Sequence, residues 1–97
     1  METYVILRRH GFRDGDDLRA AAERSTIEGE EMSDGVRWIR SYVLAEEDGT
    51  LGTVCIYRAT SPEAVLEHAR RAELPADEVI PSPDTVIVRP DPEPVPA

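Results

Sequence analysis

The sequence contains no lysine, asparagine or glutamine, only one cysteine and few aromatic residues. A single cysteine, Cys55, excludes a disulfide framework within the chain. No apolar run approaches the roughly 20 residues that a membrane-spanning helix needs, and no signal-peptide pattern is present. We therefore expect a cytoplasmic protein without a membrane partner.

Positive charge is also scarce relative to negative charge. The 97 residues include 20 acidic residues against 11 basic ones, all arginine, which gives a formal net charge of −9. A surface of this sign repels phosphate groups, so we expect no nucleic-acid partner and no attraction to anionic membranes. A surplus of carboxylates suits a bound cation, although it does not locate one.

Proline is concentrated at the C-terminal end of the chain. Six of the 8 prolines fall between Pro81 and Pro96, and from Pro90 onwards proline alternates with other residues. Such a segment cannot build a packed element, so residues 90–97 are predicted to form a disordered, extended tail. The remaining domain, residues 1–89, is barely large enough to form a stable hydrophobic core, so we expect oligomerisation to stabilise the fold.

Six elements are predicted along the domain from β-branched runs, helical periodicity and capping residues. The strands cover residues 3–8, 36–44, 53–59, and a last interrupted stretch at 79–80 and 85–88. The first helix is capped by Asp14 or Asp16 and frays near Gly29, and Ser61 caps the second. Pro81 and Pro83 limit the last strand to an edge or bulged position.

The resulting β-α-β-β-α-β order predicts an α+β, ferredoxin-like sandwich with both helices on one face of the sheet. The other face stays open, yet alternation along the second strand places apolar residues on both faces. An open apolar face on a small domain predicts a homodimer that closes a dimeric α+β barrel.

Three blocks of sequence resemble a bacterial family. The first is Trp38 with residues 41–43, the second is residues 54–59 with 61–65, and the third is residues 67–72 with 74–77. Together they resemble a domain-of-unknown-function family of small ferredoxin-like nickel-binding proteins of the Streptomyces type. The resemblance covers about positions 4–80, implies a dimeric α+β barrel, and implies nickel as a bound metal. Glu73 stands where family members usually have glycine.

Nitrogen and sulfur metal donors are limited to His10, His68 and Cys55, and no CxxC, HxH or HExxH spacing is present. A metal site would therefore need carboxylates, water or a second subunit in addition. Nickel accepts imidazole and oxygen ligands. We predict His10 and His68 as the metal-binding histidines.

A different class of function is also open, namely a cofactor-free monooxygenase, cyclase or isomerase of the dimeric α+β barrel type. In that case His68, on the apolar face of the second helix, is the catalytic acid or base. Trp38, Tyr42, Cys55 and Tyr57 are then predicted to line the pocket. The structural alternatives are a buried, neutral, hydrogen-bonded His68 and a Cys55 that packs as a small apolar residue.

Several arginines lie on predicted strands, where some must point into a sheet face and require a partner. These are Arg8, Arg9, Arg37, Arg40 and Arg58. One interpretation is pairing with the surplus carboxylates. The other is an anion clamp for a ligand that carries a carboxylate.

Overall fold

The computed structural model describes residues 1–92 and contains four strands and two helices in the predicted order. The elements are β1 (Glu2–Phe12), α1 (Gly15–Glu31), β2 (Val36–Ala45), β3 (Leu51–Ala59), α2 (Pro62–Arg71) and β4 (Glu78–Ser82). The strands form one sheet in the order β2-β3-β1-β4, with every neighbouring pair antiparallel. The α+β, ferredoxin-like fold is thereby confirmed. No helix in the described part of the chain is long and apolar enough to cross a membrane.

The hydrophobic core lies between the helices and one face of the sheet, which we call the helix-side face. Its central cluster joins all three long strands to α2, and consists of Tyr4, Ile6, Val36, Cys55, Tyr57, Ala59 and Val65. The opposite face, which we call the open face, carries the alternate residues of the same strands. Tyr57 contacts both helices, because its hydroxyl lies near the Ser25 hydroxyl of α1 and its ring packs beside the His68 ring of α2.

Both helices begin where their capping residues predict. The Asp14 carboxylate accepts a hydrogen bond from the Asp17 amide at 2.9 Å, and Ser61 caps α2 by accepting from the Ala64 amide at 3.2 Å. The predicted fraying of α1 does not occur, because the helix continues through Gly29 to Glu31. After α2, Glu73 adopts a left-handed conformation with φ of 57°, which glycine adopts more readily than other residues.

Two irregularities in strand pairing change which residues lie on each face of the sheet. β1 runs on to Phe12, beyond the predicted end at residue 8, with a register shift between Arg8 and Phe12. β2 shifts register between Trp38 and Arg40, so that Ile39 is an extra residue. A bulge of this kind reverses the alternation beyond it. Trp38 and Tyr42, which are both predicted to line the pocket, therefore lie on opposite faces of the sheet.

The last strand is shorter than predicted. β4 holds only residues 78–82 and lies at the sheet edge, where its Pro81 is tolerated as expected. The prediction of a strand at 85–88 is wrong, because this stretch leaves the sheet after Pro83 and passes over the open face. There Asp91 accepts hydrogen bonds from Arg40 and from the Tyr42 hydroxyl. Residues 93–97 of the predicted tail lie outside the described residues.

Candidate functional site

A cavity of about 270 Å³ lies between α1 and the helix-side face, towards β2. Apolar side chains form most of its wall, and they include Phe12, Leu18, Trp38, Val43 and Leu74. Polar groups enter it from Ser25, Ser41, Thr53, Cys55 and Tyr57. A concave apolar space with a few convergent polar groups is the usual form of a small-molecule site.

Three of the four predicted pocket residues meet at this cavity. Trp38, Cys55 and Tyr57 line it, and the Trp38 and Tyr57 rings are nearly parallel with centroids 6.3 Å apart. Tyr42 lies instead on the open face, because the extra residue Ile39 turns it away from Trp38. Its hydroxyl contacts Asp91 in the segment that passes over that face.

His68 is fully buried on the helix-side face and holds a defined tautomer. Its Nε2 lies 3.0 Å from the Ser25 carbonyl oxygen, which can only accept, so Nε2 carries the proton. Nδ1 has no partner among the described residues. Burial lowers the pKa of His68, so the imidazole is neutral near pH 7 with its Nδ1 lone pair free. Its ring lies 5.4 Å from that of Tyr57, whose pKa burial raises.

Arg8 is the strand arginine that points into the core, and it is only 1% exposed. Its Nε donates to the Pro75 carbonyl at 2.6 Å, and its Nη1 lies 3.0 Å from the Cys55 sulfur. Its Nη2 has no hydrogen-bond partner among residues 1–92. Strand alternation indicated that some arginines must point inwards, but only the β1 register identifies Arg8 as one of them.

His10 lies near the C-terminal end of β1, within the irregular stretch between Arg8 and Phe12, and has a left-handed φ of 53°. This backbone turns its imidazole towards the β2–β3 hairpin. Nε2 lies 3.0 Å from Glu46, while Nδ1 lies 3.1 Å from both Asp48 and the Thr50 hydroxyl. The ring is about half exposed.

Both hairpin carboxylates beside His10 are ionised at neutral pH. Hydrogen bonding to the Arg9 guanidinium lowers the pKa of Glu46, whose side chain is only 2% exposed. The hydroxyl and the amide of Thr50 lower the pKa of Asp48 to about 2, and Asp48 remains 55% exposed. The surroundings of His10 are therefore negative.

The two histidines predicted as metal ligands thus lie in different places, His68 in the core and His10 at the hairpin. Within residues 1–92, no group of three or more His, Cys, Asp or Glu side chains is arranged to hold a metal ion. The donors near His10 are of types that nickel accepts, but the two carboxylates contact opposite ring nitrogens. One chain therefore provides a partial donor set there.

Comparison with known proteins identifies the family of this chain. The family model described as "Nickel responsive protein SCO4226-like" matches residues 4–81. Among solved structures, the crystal structure of SCO4226 from Streptomyces coelicolor A3(2) is similar, with a TM-score of 0.67 and 22% sequence identity. The match covers 87% of this chain and 99% of that one, and it supports the fold. No curated protein matches the sequence.

Proposed function

The chain belongs to the SCO4226-like family of nickel responsive proteins, and from that membership we propose that it binds divalent nickel. The observation that carries the proposal is the half-exposed imidazole of His10 between two ionised carboxylates. Imidazole and carboxylate oxygen are both ligands that nickel accepts. The strongly negative net charge, −9, favours a cation over an anion at the surface.

We propose that Nδ1 of His10 and the carboxylate of Asp48 are the first two donors. Glu46 is the weaker candidate, because Arg9 already holds both of its oxygens and its side chain is enclosed. Asp48 is exposed and already lies beside Nδ1. Metal ions and protons compete for imidazole and carboxylate donors, so nickel binding should weaken as the pH falls. Water or a second chain would complete the coordination.

Calorimetric titration of nickel into matched variants tests this proposal. His10→Asn removes the imidazole and suits the left-handed backbone at this position, and Asp48→Asn removes the charge. Both should weaken nickel binding, whereas His68→Ala should leave the affinity unchanged. Loss of binding in His68→Ala alone would place the metal at the buried histidine instead. A wild-type chain that binds no nickel would refute the proposed function.

We also propose that the protein is a homodimer formed through the open face. Large apolar side chains remain exposed there, including Ile39 at 45% and Ile80 at 41%. Residues 86–88 are also exposed, and an open groove of about 1010 Å³ separates their segment from the sheet. A core this small gains stability from burying such a face. A second copy of the chain would cover it.

Light scattering on the eluting protein measures the mass of the assembly directly. Ile39→Glu should convert the dimer to a monomer, while Ile27→Glu is the control, because Ile27 is 57% exposed on α1. A monomeric wild type, or equal masses for both variants, would contradict an interface at the open face.

The alternative prediction of a cofactor-free enzyme stays a prediction. His68 would be its acid or base through the free Nδ1. Among the described residues, no carboxylate or hydroxyl is hydrogen-bonded to this nitrogen. We therefore give the metal-binding function precedence.

A further inference from the structure

The wall of the cavity between α1 and the helix-side face is uncharged. Every residue of 1–92 that lines it is apolar or bears a neutral polar group, although the chain as a whole has 20 acidic and 11 basic residues. A charged group that leaves water for such a space finds no counter-charge, and the free-energy cost of that transfer is high. The cavity therefore favours a neutral ligand over an ion of either sign.

The size and the walls of the cavity suit an aromatic body. An apolar protein cavity of about 150 Å³ binds benzene, so the volume here, about 270 Å³, holds by proportion roughly 11 non-hydrogen atoms. That is the size of a two-ring aromatic molecule. The rings of Trp38 and Tyr57 both line the cavity and lie within 9° of parallel, and flat ring surfaces of this kind pack well against a further aromatic ring.

Hydroxyl groups in the wall can donate hydrogen bonds to a ligand. Ser25 and Tyr57 both line the cavity, and their hydroxyl oxygens lie 3.3 Å apart, so one of them donates to the other. Whichever is the donor, the second hydroxyl keeps a proton that it can donate. Ser41 accepts from the indole N–H of Trp38 at 2.8 Å, which leaves its own hydroxyl proton available. An oxygen on the ligand can therefore accept a hydrogen bond from the wall.

The cavity is accessible from the β2 side of the domain. Trp38 and Val43 line it and are 37% and 53% exposed, so these walls reach the surface, whereas Cys55 and Tyr57 are buried at the other side of the space. β2 is an edge strand of the described sheet. A small molecule can thus enter beside Trp38 without separation of the helices from the sheet.

We propose that this cavity binds a small neutral aromatic molecule of one or two rings that carries a hydroxyl or carbonyl oxygen. The ring body packs against the apolar wall, and the oxygen accepts a hydrogen bond from a wall hydroxyl. An aromatic carboxylate of the same shape is disfavoured, because the wall holds no positive charge to pair with it. The site is separate from the nickel site proposed at His10, and neither proposal depends on the other.

A matched pair of probes tests the proposal. 2-Naphthol is neutral near pH 7 and has one hydroxyl, and 2-naphthoate has the same ring system with a negative charge. Binding to the full chain is followed through the indole N–H resonance of Trp38, the single tryptophan. Ala22→Leu adds bulk to the cavity wall, and Ala20→Leu is the matched control, since Ala20 is exposed on the same helix and does not line the cavity.

Wild type and Ala20→Leu should bind 2-naphthol saturably and about tenfold or more tightly than 2-naphthoate, because the cavity supplies no counter-charge. In Ala22→Leu the affinity for 2-naphthol should fall by about tenfold or more, since the added side chain occupies part of the cavity. No saturable binding of 2-naphthol in wild type, equal affinity for the two probes, or unchanged binding in Ala22→Leu would overturn the proposal.

A second measurement on wild type keeps the proposal testable if Ala22→Leu does not fold. 2-Naphthol should shift the backbone amide resonances of Ala22, Ser41 and Thr53, which line the cavity. The open groove on the other face of the sheet, lined in part by Val86 and Ile87, is the competing location. Shifts at Val86 and Ile87 without shifts at the cavity would place the probe on the open face and overturn the proposal.

Discussion

Mild acidification should destabilise this protein through His68. The imidazole is buried, and its protonated Nε2 donates to the Ser25 carbonyl. Burial lowers the pKa of His68, and the charge of Arg8 lowers it further, while the Ser25 hydrogen bond and Glu28 oppose the shift. The folded state therefore resists protonation at a pH where the exposed imidazole accepts a proton.

The sign and size of this effect follow from linkage. Unfolding returns the pKa of His68 to about 6.5, so below that pH the unfolded chain takes up a proton that the folded chain does not. The free energy of unfolding is then unaffected by His68 well above pH 6.5 and falls as the pH decreases below it. If the folded imidazole stays neutral, the loss at a pH one unit below 6.5 is about 1.4 kcal/mol.

Urea unfolding at about pH 7.5 and about pH 5.5 measures this loss, with His68→Gln as the non-titrating comparison. Carboxylates titrate in both proteins, so the informative quantity is the difference between the two pH dependences. Wild type should lose more stability than His68→Gln, by up to about 1.4 kcal/mol if the folded imidazole stays neutral throughout. The same experiment with His10→Gln measures how much of the pH dependence comes from the other imidazole. Parallel pH dependences for wild type and His68→Gln would refute the reasoning.

Three further predictions concern the fold. Gly52→Ala should lower the melting temperature, with a loss of about 1–3 kcal/mol, because a Cβ there would lie 2.7 Å from the Arg8 carbonyl oxygen; unchanged stability would contradict that close approach. Ile6→Ala should lower the free energy of unfolding in urea by about 2–5 kcal/mol, since Ile6 is fully buried in the central cluster, and a loss below about 1 kcal/mol would exclude that role. Asp91→Ala should speed amide hydrogen exchange in residues 85–89 without changing the global melting temperature, because Asp91 holds that segment to Tyr42; unchanged exchange would show that the contact does not restrain it.

The order of elements was predictable because it depends on local signals. Asp14 and Ser61 are capping residues, and the Asp48–Gly49 pair is a hairpin signal that places the turn between β2 and β3. The β-branched residues at 85–88 predict a strand that the structure does not contain. A segment with high strand propensity forms a strand only when it pairs with a neighbouring strand. Residues 85–88 follow Pro83 and pair with no strand of the described sheet.

The candidate site was less predictable because it depends on registers. Regular alternation along β2 would place Trp38 and Tyr42 on one face, but the extra residue Ile39 puts them on opposite faces. Helical periodicity predicts that His68 points at the sheet. In contrast, the pairing of Arg8 with Thr53 follows only from the β1–β3 register. A left-handed His10 carries no sequence signal, although its glycine neighbour marks an irregular strand end.

The charged groups nearest to the two histidines have opposite signs, and this sign affects whether a metal cation can bind at each imidazole. His10 is flanked by Glu46 and Asp48, whereas His68 shares the core with the unpaired charge of Arg8. At an effective dielectric constant of about 20, two unit charges 4 Å apart interact by about 4 kcal/mol, so the sign of the nearest charge decides between a cation and an anion. The excess of acidic residues in the sequence therefore corresponds to negative charge at the hairpin surface and does not predict the charge in the core. In the core, the Arg8 charge disfavours a second positive charge beside His68, so a metal cation is less favourable at His68 than at His10.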